Sequence, residues 1–238
     1  IICASCGANI VKHGNRAVTS KSGSADLLEA LGINVEMPIE KSIEMYKKFK
    51  YTFLYARKYH NAMRFAAPAR AAVGFKTVFN FIGPLANPAY ATHQTMGVSD
   101  YKMTEKICEA LNILGLKRAM VVSGLDGLDE ISLIANTKIT ELNDGWIKTY
   151  EFDPEEIGIK KTTYDQLVGG GIEENKRIAL DILNGKESTR SDIVFLNAGA
   201  GLYTYGIAKT IKEGYDIAKT AAKEGKAIDL LNKLSSFK

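Results

Sequence analysis

The chain has 238 residues, of which 46% are hydrophobic and 24% charged. This is ordinary globular composition, and it excludes a disordered tail, a collagenous repeat or a small disulfide scaffold. The net charge of +4 is spread along the chain without a long Lys/Arg block, so basicity is a weak pointer to nucleic acid or membrane.

No apolar run approaches the roughly 20 residues that span a bilayer, and the N-terminus lacks the sections of a secretory signal, so a cytoplasmic protein is expected. Cys3, Cys6 and Cys108 cannot all pair within one chain and are too few for a disulfide framework. Cys3-Ala-Ser-Cys6 has a redox or zinc spacing, but no second ligand pair follows, and its small and apolar neighbours suggest a helix packed in the core. The chain begins Ile-Ile-Cys inside an apolar element, without Met, so further sequence upstream is expected.

Residues 1–6 read as the end of an apolar helix stopped at Gly7, and residues 9–12 as a short strand. The polar loop 13–22 then feeds a helix through Ser24, Ala25 and Asp26, with Leu27, Leu28 and Leu31 on its apolar face and Gly32 as its stop. Strand, Gly-containing loop and helix form the layout that collects phosphates, because unpaired N–H groups and the macrodipole attract an anion to a helix start. Residues 38–48 suit a surface helix with Ile39, Ile43 and Tyr46 or Met45 inward, residues 51–55 a strand, and residues 61–73 a helix interrupted at Pro68. Gly83-Pro84 and Asn87-Pro88 predict a rigid loop over 77–88.

From Thr92 the pattern alternates: strand 93–98, helix 102–114, then strand 119–123, which runs into Gly124 and Gly127 and on to Asp129-Glu130. In open α/β sheets ligands collect beyond the carboxyl ends of strands, so this carboxylate pair is well placed for chemistry. Asn143-Asp144-Gly145 between residues 137–142 and 146–152 is a hairpin signal that adds antiparallel strands. The remainder is helical over 172–183, 193–207 and 211–234, with Gly169-Gly170-Gly171 as a surface connection.

Five blocks, in order along nearly the whole chain, resemble the signature of the anthranilate phosphoribosyltransferases. They are Lys12-His13-Gly14-Asn15-Arg16; Lys21-Ser22-Gly23-Ser24-Ala25-Asp26 leading to Gly32; Tyr59-His60-Asn61-Ala62-Met63-Arg64 with Arg70; residues 77–88 around Gly83-Pro84; and Gly127-Leu128-Asp129-Glu130-Ile131-Ser132. Five ordered blocks are far more specific than a lone Gly-rich loop. The resemblance implies transfer of a phosphoribosyl group from phosphoribosyl pyrophosphate to the amino group of anthranilate, with Mg²⁺, in tryptophan biosynthesis. It also implies an α/β fold of the nucleoside phosphorylase/phosphoribosyltransferase type, with a mixed, mostly parallel sheet flanked by helices, in a homodimer. The α/β domain would hold residues 1–36 and 74–238, and residues 37–73 would belong to a small helical domain whose remainder lies upstream. Family members also carry a Gly-Thr-Gly-Gly-Asp loop and an Asn-x-Ser-Thr segment before the Lys-His-Gly-Asn-Arg block. Neither is present here, so these 238 residues alone are expected to bind the donor weakly.

By the same resemblance Lys12, His13, Gly14, Asn15, Ser22, Gly23 and Ser24 bind the donor, and Asp129 and Glu130 hold the metal. His13, Asn15, His60, Met63, Arg70, Gly83 and Pro84 would form the anthranilate site, with Arg70 reading the acceptor carboxylate through a forked ion pair. Asn61 stands where the family normally has Pro. A pyrophosphate donor needs N–H and O–H donors, positive charge and hard oxygen ligands for Mg²⁺, and these residue types supply them. No general base is assigned, since an aromatic amine is already neutral at pH 7. Taken singly, Lys12 and Arg16 would read as solvated surface cations, His13 and His60 as structural histidines, and Asp129-Glu130 as a solvated pair. Two alternatives stand beside the transferase: a pyrimidine nucleoside phosphorylase, in which Arg70 would lack a purpose, and a non-catalytic relative that binds nucleic acid, marked by steep salt dependence. The retained acid pair and Arg70 argue against the second, so substrates rather than nucleic acid are the expected partners.

Overall fold

A computed structural model describes residues 1–16, 22–60, 65 and 79–238. The predicted helix over 61–73, with Met63 and Arg70, lies outside the described residues apart from Phe65. The chain opens with helix α1 (Ile2–Ser5), strand β1 (Ile10–Gly14), helices α2 (Ser24–Ala30) and α3 (Ile39–Phe49), strand β2 (Tyr51–Tyr55) and helix α4 (Ala56–Tyr59). β1 and β2 run parallel with Ile10 opposite Tyr51 and Gly14 opposite Tyr55. Parallel neighbours need a long crossover, which α2 and α3 provide.

Next come α5 (Phe79–Leu85), β3 (His93–Gly97), α6 (Thr104–Ile113), β4 (Arg118–Gly124), β5 (Thr137–Asn143) and β6 (Trp146–Phe152). The second sheet has the order β3-β4-β5-β6, with β3 and β4 parallel and the other two pairings antiparallel. The fold is therefore α/β with mixed sheets, but the expected excess of parallel pairing is absent among the described strands. The β5–β6 hairpin accounts for this: Asp144 and Gly145 both take positive φ, 45° and 89°, which is the geometry of a tight two-residue turn. Helices α7 (Tyr164–Leu167), α8 (Ile172–Leu183), α9 (Thr189–Tyr205), α10 (Ile211–Lys223) and α11 (Lys226–Ser235) follow.

β4 is buried from Ala119 to Gly124, which explains its unbroken apolar run. Alternate residues face opposite sides, so Met120 and Val122 enter the main core while Ala119 and Val121 enter a second core with Met96, Ile107, Cys108 and Leu111. α9 and α10 meet backbone to backbone, since a Cβ on Gly199 would lie 2.4 Å from the nitrogen of Tyr215 and one on Gly214 2.3 Å from the oxygen of Gly199. The sulfurs of Cys3 and Cys6 lie within hydrogen-bond reach of the carbonyls of Ala198 and Ile217, and burial raises both thiol pKa values, so this pair is packed structure.

Within the expected 37–73 segment, Met37, Met45, Tyr51, Phe53 and Tyr55 share one core with Leu230 and Leu231. β2, within that segment, pairs in parallel with β1. Several expectations are corrected. On α3, Ser42 and Met45 face inward while Ile39 and Ile43 are about half exposed, because the helix leans on β2 and α11 through the 42/45/49 stripe. The predicted rigid loop over 77–88 is helical over Phe79–Leu85, with Pro84 one residue from its end, so the helix stops directly after the proline. The Asn87-Pro88 turn is present. The single helix expected over 211–234 is two, broken where Gly225 takes φ 77°.

Candidate active site

Three structural features converge at the C-terminal end of β1. Lys12, His13 and Gly14 lie opposite Phe53, Leu54 and Tyr55 of β2, so the motif is carried on a strand anchored by a fully buried neighbour. A Cβ on Gly14 would lie 3.3 Å from both the Phe53 ring and Ser24 Oγ, so the absence of a side chain lets the start of α2 sit against the strand. The Gly23 N–H already donates to the Asp26 carboxylate at 2.8 Å, which removes one of the free amides expected to attract an anion there. Asn15 Oδ1 accepts from the Arg16 N–H at 2.9 Å.

Arg16 is held by ion pairs and an aromatic ring. Its guanidinium bridges Glu29 and Glu36, each at 2.7 Å, donates to the Tyr55 hydroxyl at 2.9 Å and lies over the Tyr55 ring. The Glu29 and Glu36 bonds raise its pKa further, and it ties the loop after β1 to α2 instead of standing open for phosphate. Lys12 is different: its exposed ammonium has no hydrogen bond or ion pair among the described residues.

The second feature is the turn that follows β4. Gly124 N–H donates to the Leu128 carbonyl at 2.8 Å, and Gly127 N–H to the Gly124 carbonyl at 2.9 Å. Ser132 Oγ donates to Asp126 at 2.6 Å and accepts from the Ile134 N–H at 2.8 Å. Ile131 and Leu133 are fully buried under the turn, which leaves Asp129 and Glu130 outward. The Glu130 carboxyl is accessible by area, yet enough protein surrounds it that burial raises its pKa; the Asp129 charge adds to this and Lys12 opposes it. The charge of Lys12 on β1 therefore reaches Glu130 in the turn after β4.

The third feature is a histidine pair. His13 and His60 stack edge to face with ring centroids 4.9 Å apart, and the Nε2 of each is buried without a partner among the described residues. Burial lowers the His13 pKa, His60 lowers it further and the Gly83 backbone opposes. His13, His60 and Gly83 are therefore together, with Pro84 exposed beside them. Asn87 Nδ2 donates to the Val11 carbonyl at 3.2 Å and ties the segment after α5 to β1.

One residue went unnoticed in the sequence. Asn197, within α9, accepts from the Ile131 N–H at 2.9 Å and donates back to the Ile131 carbonyl at 3.0 Å. The available signal was an isolated amide in the apolar run Phe195-Leu196-Asn197-Ala198.

A family model described as the a/b domain of a glycosyl transferase family matches residues 1–228. Anthranilate phosphoribosyltransferases from Desulfatibacillum aliphaticivorans and Petrotoga mobilis are 45% and 44% identical to the chain over 236 residues, which is 99% of this chain and 70% and 69% of theirs. The crystal structure of the enzyme of that name from Thermus thermophilus superposes with a TM-score of 0.93 at 42% identity, covering 99% of this chain and 70% of that one.

The chain belongs to the anthranilate phosphoribosyltransferase family.

It is accordingly a pentosyltransferase of tryptophan biosynthesis, and neither alternative reading is needed. The Saccharomyces cerevisiae anthranilate phosphoribosyltransferase, in complex with PRPP and Mg, superposes with a TM-score of 0.87 at 27% identity over 98% of this chain and 66% of that one. In this member of the family, Lys12, His13, Gly14, Asn15, Ser22, Gly23 and Ser24 gather at the end of β1 and the start of α2. No helix among the described residues is long and apolar enough to cross a membrane.

Proposed function

We propose that the transferase holds phosphoribosyl pyrophosphate between the end of β1 and the turn carrying Asp129 and Glu130, with Lys12, Asn15, Ser22 and Ser24 on the donor's phosphates. The observation that supports this reading is that the Lys12 charge, on β1, favours the ionised form of Glu130, in the turn after β4. Lys12 supplies charge to an anion, and the hydroxyls and amide add donors.

The acid pair fits Mg²⁺. Among the described residues neither carboxylate has a hydrogen bond or an ion pair, and the Asp129 charge raises the cost of ionising Glu130, which a hard cation would relieve. No cluster of three or more His, Cys, Asp or Glu residues among the described ones could hold a metal by itself. That matches an ion which uses one or two carboxylates and takes its other ligands from substrate phosphate and water. When bound, the ion neutralises charge on the departing pyrophosphate.

The chain's own residues position the reactants. Bond breaking at the anomeric carbon passes through an oxocarbenium-like state, as in glycoside hydrolysis, and positioning with electrostatics does most of the work. Anthranilate enters against His13, Asn15, His60, Met63, Gly83 and Pro84, with its carboxylate on Arg70. His13 is the neutral imidazole there, held so by burial. We place the protein in the cytosol, which the free thiols of Cys3, Cys6 and Cys108 support, and assign it as a homodimer. Light scattering of the protein as encoded tests the dimer.

Donor binding followed by calorimetry with and without Mg²⁺ tests the site. Asp129→Asn with Glu130→Gln abolishes the Mg²⁺-dependent part of donor affinity; an unchanged Mg²⁺ dependence removes the acid pair from the site.

A further inference from the structure

We propose that Asn197 is the positioning residue that sets the Asp129-Glu130 pair for its cation. The proposal rests on the reading of that pair as the metal site and adds the device that holds it. Asn197 makes two bonds to a single residue, Ile131, which directly follows Glu130: its Oδ1 takes the Ile131 N–H at 2.9 Å, and its Nδ2 donates to the Ile131 carbonyl at 3.0 Å. Nδ2 also donates to the Ile193 carbonyl at 3.0 Å within α9, so the amide orientation is fixed from both sides.

Paired donor and acceptor contacts to both polar groups of one peptide residue fix its rotation as well as its place, which a single bond does not. The Ile131 side chain is fully buried, so the residue is held by packing below and by the amide beside it. The two carboxylates next to it have no hydrogen bond or ion pair among the described residues, so their direction is set by the backbone on which they ride. At the other end of the turn, Ser132 and Asp126 close the loop by their own bonds. Asn is a poor residue for a helix interior, because its side chain competes for backbone groups. In α9 that side chain serves a backbone on the other side of the packing interface. Partners that orient metal-binding groups typically change metal affinity by about 10- to 100-fold when removed.

The test uses the protein as encoded by its gene, with Mn²⁺ as a paramagnetic probe in place of Mg²⁺, and reads free Mn²⁺ by electron paramagnetic resonance in the presence of phosphoribosyl pyrophosphate. Asn197→Ala weakens Mn²⁺ binding by about tenfold or more and raises the Mg²⁺ concentration for half-maximal rate, while the KM for anthranilate stays put and the circular dichroism is native. Asn197→Asp keeps the acceptor for the Ile131 N–H, loses the donor, and falls between. If Asn197→Ala fails to fold, the Asp variant decides in the same way. Native Mn²⁺ affinity in a folded variant overturns the proposal, and so does loss of cooperative folding in both, which would make the amide a stability residue only. Asp129→Asn with Glu130→Gln runs alongside: if Mn²⁺ affinity survives that change, the metal-site reading itself has failed, whatever Asn197 does.

Discussion

The carbonyl oxygen of Asp129 lies 1.5 Å from the position that a Cβ on Gly97 would occupy. The end of β3 therefore forms the seat on which the acid turn rests, and only a residue without a side chain leaves room for it. β3 reaches the site through its parallel pairing with β4, which places Gly97 opposite Val122, two residues before the turn begins.

Gly97→Ala is expected to push the Asp129 backbone off its seat while β3 and β4 remain paired. Displacing a reacting group's support by about 1 Å can cost on the order of 100-fold in rate. The expected result is a loss of that order in kcat/KM with a smaller fall in thermal stability. A variant with native activity would show that the turn is free to shift.

Lys12 and Arg16 separate two kinds of cation that look alike in the sequence. Removing a charged group that contacts an anion costs about 1.5–3 kcal/mol, or roughly 10- to 150-fold in affinity. Lys12→Met should raise the KM for phosphoribosyl pyrophosphate by that factor, and added salt should narrow the gap between the two proteins. Arg16→Gln, which breaks contacts to Glu29, Glu36 and Tyr55, should leave donor affinity largely intact. Equal effects from the two substitutions would contradict the assignment.

His13 should titrate below the ordinary histidine value of about 6.5, because burial and His60 both disfavour its charged form. As pH falls, the unfolded chain takes up this proton before the folded one does. Stability is therefore lost as pH drops below about 6.5 and stops changing on this account once the folded pKa has been passed. NMR titration of the imidazole checks the direction, and His13→Asn should flatten the stability profile over that window. A His13 pKa at or above 6.5 would be the contrary finding.

The Gly199–Gly214 contact tests the packing of α9, the helix that carries Asn197. An added methyl at Gly199 meets the backbone of Tyr215, which cannot rotate away. Overpacking of this kind costs about 1–3 kcal/mol. Gly199→Ala should lower the Tm measurably in calorimetry, and an unchanged Tm would show that the helices can separate at little cost.

What could be read from the sequence follows from how local each signal is. The apolar run of β4 and the Asp144-Gly145 turn specify their own structure within a few residues, and both stand as expected. Lys12, His13 and the acid pair stand out in the sequence only through the ordered family blocks that contain them, since taken singly each reads as a surface or structural residue. α3 was turned the wrong way because Ile39, Ile43 and Met45 are all apolar, and only the position of β2 and α11 decides which of them is covered. Gly83-Pro84 is a loop signal by residue type, yet Pro84 lies inside the helix that ends at Leu85. Asn197 stayed hidden because its partner Ile131 is remote in the sequence, and nothing local says that a helical amide serves a distant turn.

The most direct measurement is the loss of anthranilate fluorescence when phosphoribosyl pyrophosphate and Mg²⁺ are added to the protein as encoded, beside Arg70→Ala. The account predicts turnover that needs both additions, and an Arg70→Ala variant whose KM for anthranilate rises while its KM for phosphoribosyl pyrophosphate does not. Absence of anthranilate consumption by the unaltered protein would contradict it.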